Sequence, residues 1–444
     1  MAAELVTLAY IALAAFACPL IAQFIPGKSI PETVLLLVAG MLLGPHVLGI
    51  VELSDAVSLL SELGLAFLFL LAGYEINPAS ITGRQGQRGA ATWLVTLLIA
   101  FAAVALWPLF SARETDGIAV AIALTTTALG TLLPILQDRG LMSTREGSAV
   151  LSYGTWGELG PIIAMALLLS TRARWETVLI LAVFAAVAVA VAVVPRRARQ
   201  AGSFIMRFIS HNAESNAQML VRSVVMILVA LTALSAVFDL DIVLGSFAAG
   251  FVIRYVIPEG SEALEGKLSA IAYGFFIPLF FIVSGAKIDI TAVFANPLLL
   301  VEFIVLLLLV RTVPVFAAIT TDRETRDMTP RSRLSVALYC TTALPLIVAV
   351  TSVATSVGAM SAETSSVLVA AGGVTVFIMP LLAQLLLRTA DAELGGALRE
   401  IASEPRRTAQ ILRAHHALER ARARAQREEL RERRRRERLR ERRH

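Results

Sequence analysis

The chain has 444 residues, 57% of them hydrophobic and 16% charged, with a mean hydropathy of +0.74; soluble domains run at about 45–50% and 25%. A soluble globule is excluded, and so is a disulfide scaffold, because the two cysteines, Cys18 and Cys340, both lie in apolar runs. The charge is uneven: residues 391–444 carry a net +7, whereas the first 390 carry a net −2.

A bilayer core of about 30 Å takes roughly 20 apolar residues as helix. On that ruler the sequence predicts thirteen spans, near 5–24, 31–50, 57–76, 90–111, 117–137, 146–170, 176–194, 219–238, 240–257, 267–286, 297–319, 333–356 and 363–388. Backbone polar groups in lipid must be satisfied within the segment, so the spans are helices. The first is too long, and lacks the basic start, for a cleaved leader. The second and ninth are short and interrupted by glycine. The expected fold class is an all-α polytopic membrane protein, with a transmembrane domain over 1–390 and a basic tail over 391–444.

Sixteen Lys and Arg residues fall in the loops of one side, and four (Arg113, Arg172, Arg174 and Lys287) on the other. That bias places the tail in the cytoplasm and, with an odd number of spans, the N-terminus outside. The plasma (inner) membrane is the expected location. In the tail, Glu429 with Arg433 and Glu432 with Arg436 suit bridging along an exposed helix that touches anionic lipid. Basic charge alone does not point to nucleic acid, and none is expected as a partner.

Three segments recur at an offset of about 210–215 residues. LFLLAGYEIN from Leu68 returns as FFIVSGAKID from Phe280; Ala39-Gly40 returns as Ala249-Gly250; Thr126-Thr127-Ala128-Leu129 returns as Thr341-Thr342-Ala343-Leu344. With span 176–194 as a lone linker, repeat one covers about 5–170 and repeat two about 219–388. One intervening helix inverts the second copy. Inverted six-helix repeats point to a secondary transporter with its site near the midplane, where broken helices meet. Each TTAL copy is followed by a helix breaker, Gly130 with Pro134 or Pro345. The hydroxyls of Thr125, Thr126, Thr127, Thr341 and Thr342 can bond freed carbonyls or ligate a hard cation.

Ionisable groups deep in a span are functional candidates. Glu158 lies midway through SYGTWGELGPIIAMALLL, with no basic residue in its own span. Gly157 and Gly160 allow close backbone approach there, and Pro161 frees a carbonyl one turn earlier. Arg311, in LLLLVRTVPVF, is the second candidate; it stays protonated and can anchor a carboxylate without carrying protons. The repeat brings its span to the same core as Glu158, although snorkelling to the interface is the alternative. Glu62, Glu75 and Asp289 lie at span ends, Glu302 one turn inside, and His46 at a Gly-Pro bend. The His and Cys residues show no metal-ligand spacing, and neither a phosphate loop nor a dinucleotide fingerprint is present, so no cofactor and no enzyme activity is expected.

At these residues the chain resembles the monovalent cation:proton antiporters of the second family, relatives of the sodium/proton and potassium-efflux exchangers. The resemblance rests on LLLVAGMLLGPHVLGI, ELGLAFLFLLAGYEINP, GSFAAGFVIRYVIPEG and GFFIPLFFIVSGAKIDI, with TTTALGTLLPIL and the Arg311 region. It implies about thirteen helices, a dimerisation bundle beside a core bundle that moves like an elevator, two unwound helices crossing at the ion site, and a homodimer. The family's ion-binding carboxylate, usually Asp after Asp, Asn or Gln, falls on Glu158 after Gly157. Its core basic residue, often Lys, falls on Arg311. One carboxylate and a non-titrating Arg imply electroneutral one-for-one exchange of Na+ or K+ for a proton. The alternative is a carrier of small organic anions, with Arg311 and helix N-termini holding the substrate carboxylate.

Overall fold

The computed structural model describes residues 2–24, 31–76, 83–106, 117–138, 140–142, 144–169, 174–200, 219–238, 240–257, 262–322, 325 and 328–391; the basic tail and several predicted loop cations lie outside them. The elements are α1 (Ala2–Phe24), α2 (Glu32–Leu43), α3 (Asp55–Glu75), α4 (Arg84–Leu106), α5 (Gly117–Leu124), α6 (Leu129–Asp138), α7 (Arg145–Leu168), α8 (Arg174–Gln200), α9 (Met219–Val237) and α10 (Ile242–Val256). Then follow α11 (Glu262–Ile271), α12 (Ile277–Ala286), α13 (Ile290–Ala295), α14 (Pro297–Leu307), α15 (Val313–Thr321), α16 (Pro330–Tyr339), α17 (Leu344–Ser356) and α18 (Ala362–Asp391). All regular structure among the described residues is helical.

Eight stretches are long and apolar enough to cross a membrane, and four stretches over 32–43, 117–133, 175–190 and 242–256 are apolar but shorter. The expected second span stops early because Pro45 follows Gly44. Proline disfavours helical backbone in the residue before it, and Gly44 is extended at φ −69, ψ 172. Helix α7 fills the expected sixth span but is less apolar, carrying Glu158 with hydroxyls and glycines; most of its length is buried against protein. The outermost helices show the reverse. Only 17% of the apolar window in α1 is buried, against 89% across α16 and α17, and Leu13, Phe16, Leu98 and Met226 present exposed apolar side chains. In water such a surface would drive aggregation; lipid is the solvent that suits it.

The helices sort into two packed groups. Helices α1, α2, α3, α9, α10 and α12 form one, in which α3 packs along α10 and α2 along α12; α4, α5, α7 and α14 to α18 form the other, and α8 packs on α10 and α7. Two proline effects shape the joints. Pro278 and Pro314 cannot donate to the carbonyls four residues back, and each follows a π-helical turn, Ala272–Phe276 and Leu308–Thr312. Asp289 caps α13, the short link between the groups: the Thr291 hydroxyl (2.6 Å) and the Thr291 and Ala292 amides (2.9 and 3.3 Å) donate to its carboxylate, holding it below the ordinary aspartate range.

Glycines set the first group's spacing. A Cβ on Gly40 would overlap the Ile282 carbonyl, and one on Gly285 the Leu37 carbonyl, so α2 and α12 meet backbone to backbone. Gly250 meets the Leu70 carbonyl and Gly73 the Phe247 carbonyl in the same way between α10 and α3. Each member of the first crossing maps onto a member of the second at an offset of 210 or 212 residues.

Because the obstructing atoms are backbone, Gly40→Ala and Gly250→Ala should each cost about 1–3 kcal/mol through overpacking, read as a lower Tm in detergent. Gly266 has open space around it, so Gly266→Ala should hold or raise Tm by favouring α11. Equal melting of all three would refute the close-packing account.

Candidate ion-binding site

Inside the second group two helices are broken at the same place. The α5–α6 pair leaves residues 125–128 non-helical, and the α16–α17 pair leaves 340–343 non-helical. Each gap takes in the Thr-Thr-Ala of TTAL and the residue before it, and the helix resumes at the Leu. Gly130 and Pro345 stand in the first turns of the new helices, where proline is tolerated.

A break in hydrocarbon exposes carbonyls at one end and amides at the other. The threonines meet the carbonyls. Thr125 and Thr126 donate through Oγ1 to the Ile122 and Ala123 carbonyls (2.8 and 2.6 Å), and Thr341 and Thr342 to those of Leu338 and Tyr339, the former at 2.6 Å. These four hydroxyls back-bond to their own helices. Thr127 differs. Its hydroxyl donates across the crossing to the Cys340 carbonyl, its amide donates to the Gly157 carbonyl at 2.8 Å, and the next amide, Ala128, donates to the Thr342 carbonyl at 2.8 Å. The Gly157 carbonyl is the one Pro161 leaves free in α7, so the proline of one helix supplies the acceptor that the broken helix lacks.

Arg311 sits on the π turn before Pro314 and is 1% exposed, so it does not snorkel. Its Nε and Nη2 donate to Thr127 Oγ1 (3.2 and 2.9 Å), Nη2 to the Tyr153 carbonyl (3.1 Å) and Nε to the Cys340 carbonyl (3.4 Å). Hydrogen bonds to a charged group contribute roughly 1.5–3 kcal/mol each, the scale needed to offset a desolvation penalty of several kcal/mol. A Cβ on Gly157 would overlap Arg311 Nη2 and crowd Thr127 Oγ1. Glycine at 157 is therefore the space the guanidinium fills. Thr127 Oγ1, with its proton on Cys340 and both lone pairs facing Arg311, has no capacity left for another ligand in this arrangement.

Glu158, the next residue, is 2% exposed. The Leu129 amide at the start of α6 donates to its carboxyl group, where the helix dipole favours an anion. Its Oε2 is buried with no hydrogen-bond partner. Arg311 shares the crossing with Glu158 but takes part in none of the ion pairs among the described residues, which are His46–Asp289, Arg88–Asp322 and Arg254–Glu265. Sequence reasoning missed the groups that hold Arg311, the carbonyls of Tyr153 and Cys340. Backbone acceptors leave no residue signature; the glycine before Glu158 was the one available sign of what faces it.

Thr127→Val keeps the shape and removes the acceptor shared by Nε and Nη2. It should cost about 1–3 kcal/mol, seen as a lower Tm, whereas Thr125→Val, which loses one back-bond, should cost less. An unchanged Tm for Thr127→Val would mean that Arg311 is held by the carbonyls alone.

The family model for the transmembrane sodium/hydrogen exchanger matches residues 11–389. Among curated proteins, the chain is 26% identical over 249 residues to the high-affinity Na(+)/H(+) antiporter NhaS3 of Synechocystis, covering 55% of this chain and 52% of that one. It is 24% identical over 253 residues to the Na(+)/H(+)-K(+) antiporter GerN of Bacillus cereus (57% and 64%), and 26% identical over 311 residues to the chloroplastic K(+) efflux antiporter 2 of Arabidopsis thaliana (66% and 25%). The matched part amounts to between 47% and 66% of the length of the first three relatives. With the match spanning nearly all of its apolar helices, the chain belongs to the sodium/hydrogen exchanger family.

Proposed function

We propose that this protein exchanges a monovalent cation, Na+ or K+, for a proton, with Glu158 as the group that binds each in turn. The observation that carries the proposal is Glu158 Oε2, buried and without a partner. An ionised carboxylate left so in a dry interior is costly, and binding either a proton or a dehydrated cation removes the cost. One carboxylate serving both ligands makes them compete, and competition couples the two fluxes. The names of the relatives, which are Na(+)/H(+) and K(+) antiporters, support the same reading.

Arg311 does not titrate, and its Nε and Nη2 are committed to Thr127, Tyr153 and Cys340. It therefore adds no second exchangeable proton, which supports electroneutral one-for-one exchange. The same commitment weakens the organic-anion reading, since those donors already have acceptors. The proposal extends to thirteen membrane crossings in a plasma membrane, with the N-terminus outside and the tail inside. The matched glycine crossings support the inverted repeat, and the two packed groups support rigid sliding of the second past the first.

The test is exchange in proteoliposomes, with an imposed pH gradient, added Na+ or K+, and a lumenal pH dye. A cation-driven pH change is expected, lost in Glu158→Gln and unaffected by clamping the voltage. Below the pKa of the shared group, the cation concentration for half-maximal rate should rise about tenfold for each unit by which the pH falls, as competition for one site requires. Exchange that survives in Glu158→Gln, given a Tm showing the variant folded, would overturn the assignment; acceleration by the clamp would overturn only the stoichiometry.

A further inference from the structure

A cavity of about 240 Å³ lies between the two groups, at the end where α3 begins and α12 finishes, which the proposed orientation makes the exterior. Ser61 and Glu62 of α3, Ser284 and Lys287 at the end of α12, and Thr351 and Thr355 of α17 line it. Ser61 and Ser284 are only 5% and 8% exposed, and neither hydroxyl forms a hydrogen bond among the described residues. Hydroxyls of two largely buried residues on two helices, facing one cavity and making no hydrogen bond to protein there, are free to meet water or an ion that enters it. At about 30 Å³ per water the space holds roughly eight waters, enough for a small ion with part of its hydration shell.

The surrounding charge says which kind of ion. Glu62 lines the cavity, Asp241 at the start of α10 feels its field, and Asp289 adjoins through its amide bond to Ser366, another lining residue. Against these carboxylates Lys287 is the one lining cation, and His46 lies 3.8 Å from Asp289. The balance favours a cation, and hydroxyl oxygens with a carboxylate are the ligands that hard cations take. The location ties the cavity to transport. Its walls come from both groups, and Thr351 stands two turns along α17 from Leu344, where that helix leaves the crossing.

We propose that this cavity is a second cation subsite, on the outer side of the crossing, where an alkali cation with part of its water shell is held by Ser61, Ser284 and Glu62 before it reaches or after it leaves Glu158. The inference rests on the antiporter reading and its orientation, and its test is separable from both. The native cysteines are buried, so a new thiol reports cleanly. Ser284→Cys and, independently, Ser61→Cys are reconstituted full-length and treated from one side with a membrane-impermeant methanethiosulfonate bearing trimethylammonium, or with its sulfonate counterpart.

Labelling is expected from the exterior, faster with the cationic reagent than the ratio for a free thiol in solution, and slowed severalfold by Na+ or K+ relative to choline. In the exchange assay, Glu62→Gln should raise KM for the cation presented outside about tenfold, a loss near 1.4 kcal/mol, while KM for the cation presented inside stays put. A merely structural residue would not produce that sidedness. Labelling that ignores Na+ and K+, prefers the anionic reagent, or proceeds only from the lumen would overturn the subsite, even with exchange intact. Protection by cation in liposomes that show no exchange would retain the subsite and reject the antiporter reading.

Discussion

A helix break inside hydrocarbon leaves carbonyls and amides that no water can meet, and the breaks at 125–128 and 340–343 become viable by being placed against each other. The Ala128 amide takes the Thr342 carbonyl, and the Thr127 hydroxyl takes that of Cys340. Others of the freed polar groups are met by threonine hydroxyls or by the Gly157 carbonyl that Pro161 sets free. An unsatisfied backbone group in lipid costs several kcal/mol, so neither break would survive without the other. Much of the second group, α7, α16 and α17 above all, is arranged to keep these chain segments in register.

The crossing is not symmetric, although the sequence around it nearly is. Thr126 and Thr341 make the same back-bond, but Thr342 bonds its own helix whereas Thr127 reaches across it. The difference traces to Arg311. Its guanidinium takes the space that a side chain at 157 would fill and turns both lone pairs of Thr127 toward itself. In charge and in the oxygens it contacts, the guanidinium occupies the crossing as a tethered cation would. Glycine before Glu158 and arginine at 311 are thus two halves of one arrangement, and a change at either position is felt at the other.

Much of this was legible in the sequence because membrane physics writes large signals. Apolar length located the helices, paired TTAL segments located the breaks, and the isolation of Glu158 within its span singled it out. Pro161 announced a free carbonyl without saying what would use it. What the sequence hid depends on contacts between distant segments. The early stop of α2 at Leu43 follows from Gly44-Pro45, which an apolar run continuing to Ile50 obscured. The partners of Arg311 are mostly backbone carbonyls, which every residue type carries alike. The unpaired hydroxyls of Ser61 and Ser284 lie far apart in the chain and become a pair only when α3 and α12 pack side by side.

Glu158 receives less support than its neighbours, and the contrast suits the carrier role proposed for it. Arg311 is held by several acceptors and Thr127 is saturated, so neither has reason to release its partners. Glu158 has the Leu129 amide and the positive end of α6, which hold the carboxyl group in place. Its Oε2 is left open. A carboxylate with every lone pair met by fixed donors would have no need of a proton or a cation, and one with none would be unstable in either state. Partial satisfaction leaves a need that either ligand can meet, and the proposed exchange between two ligands at one site requires that.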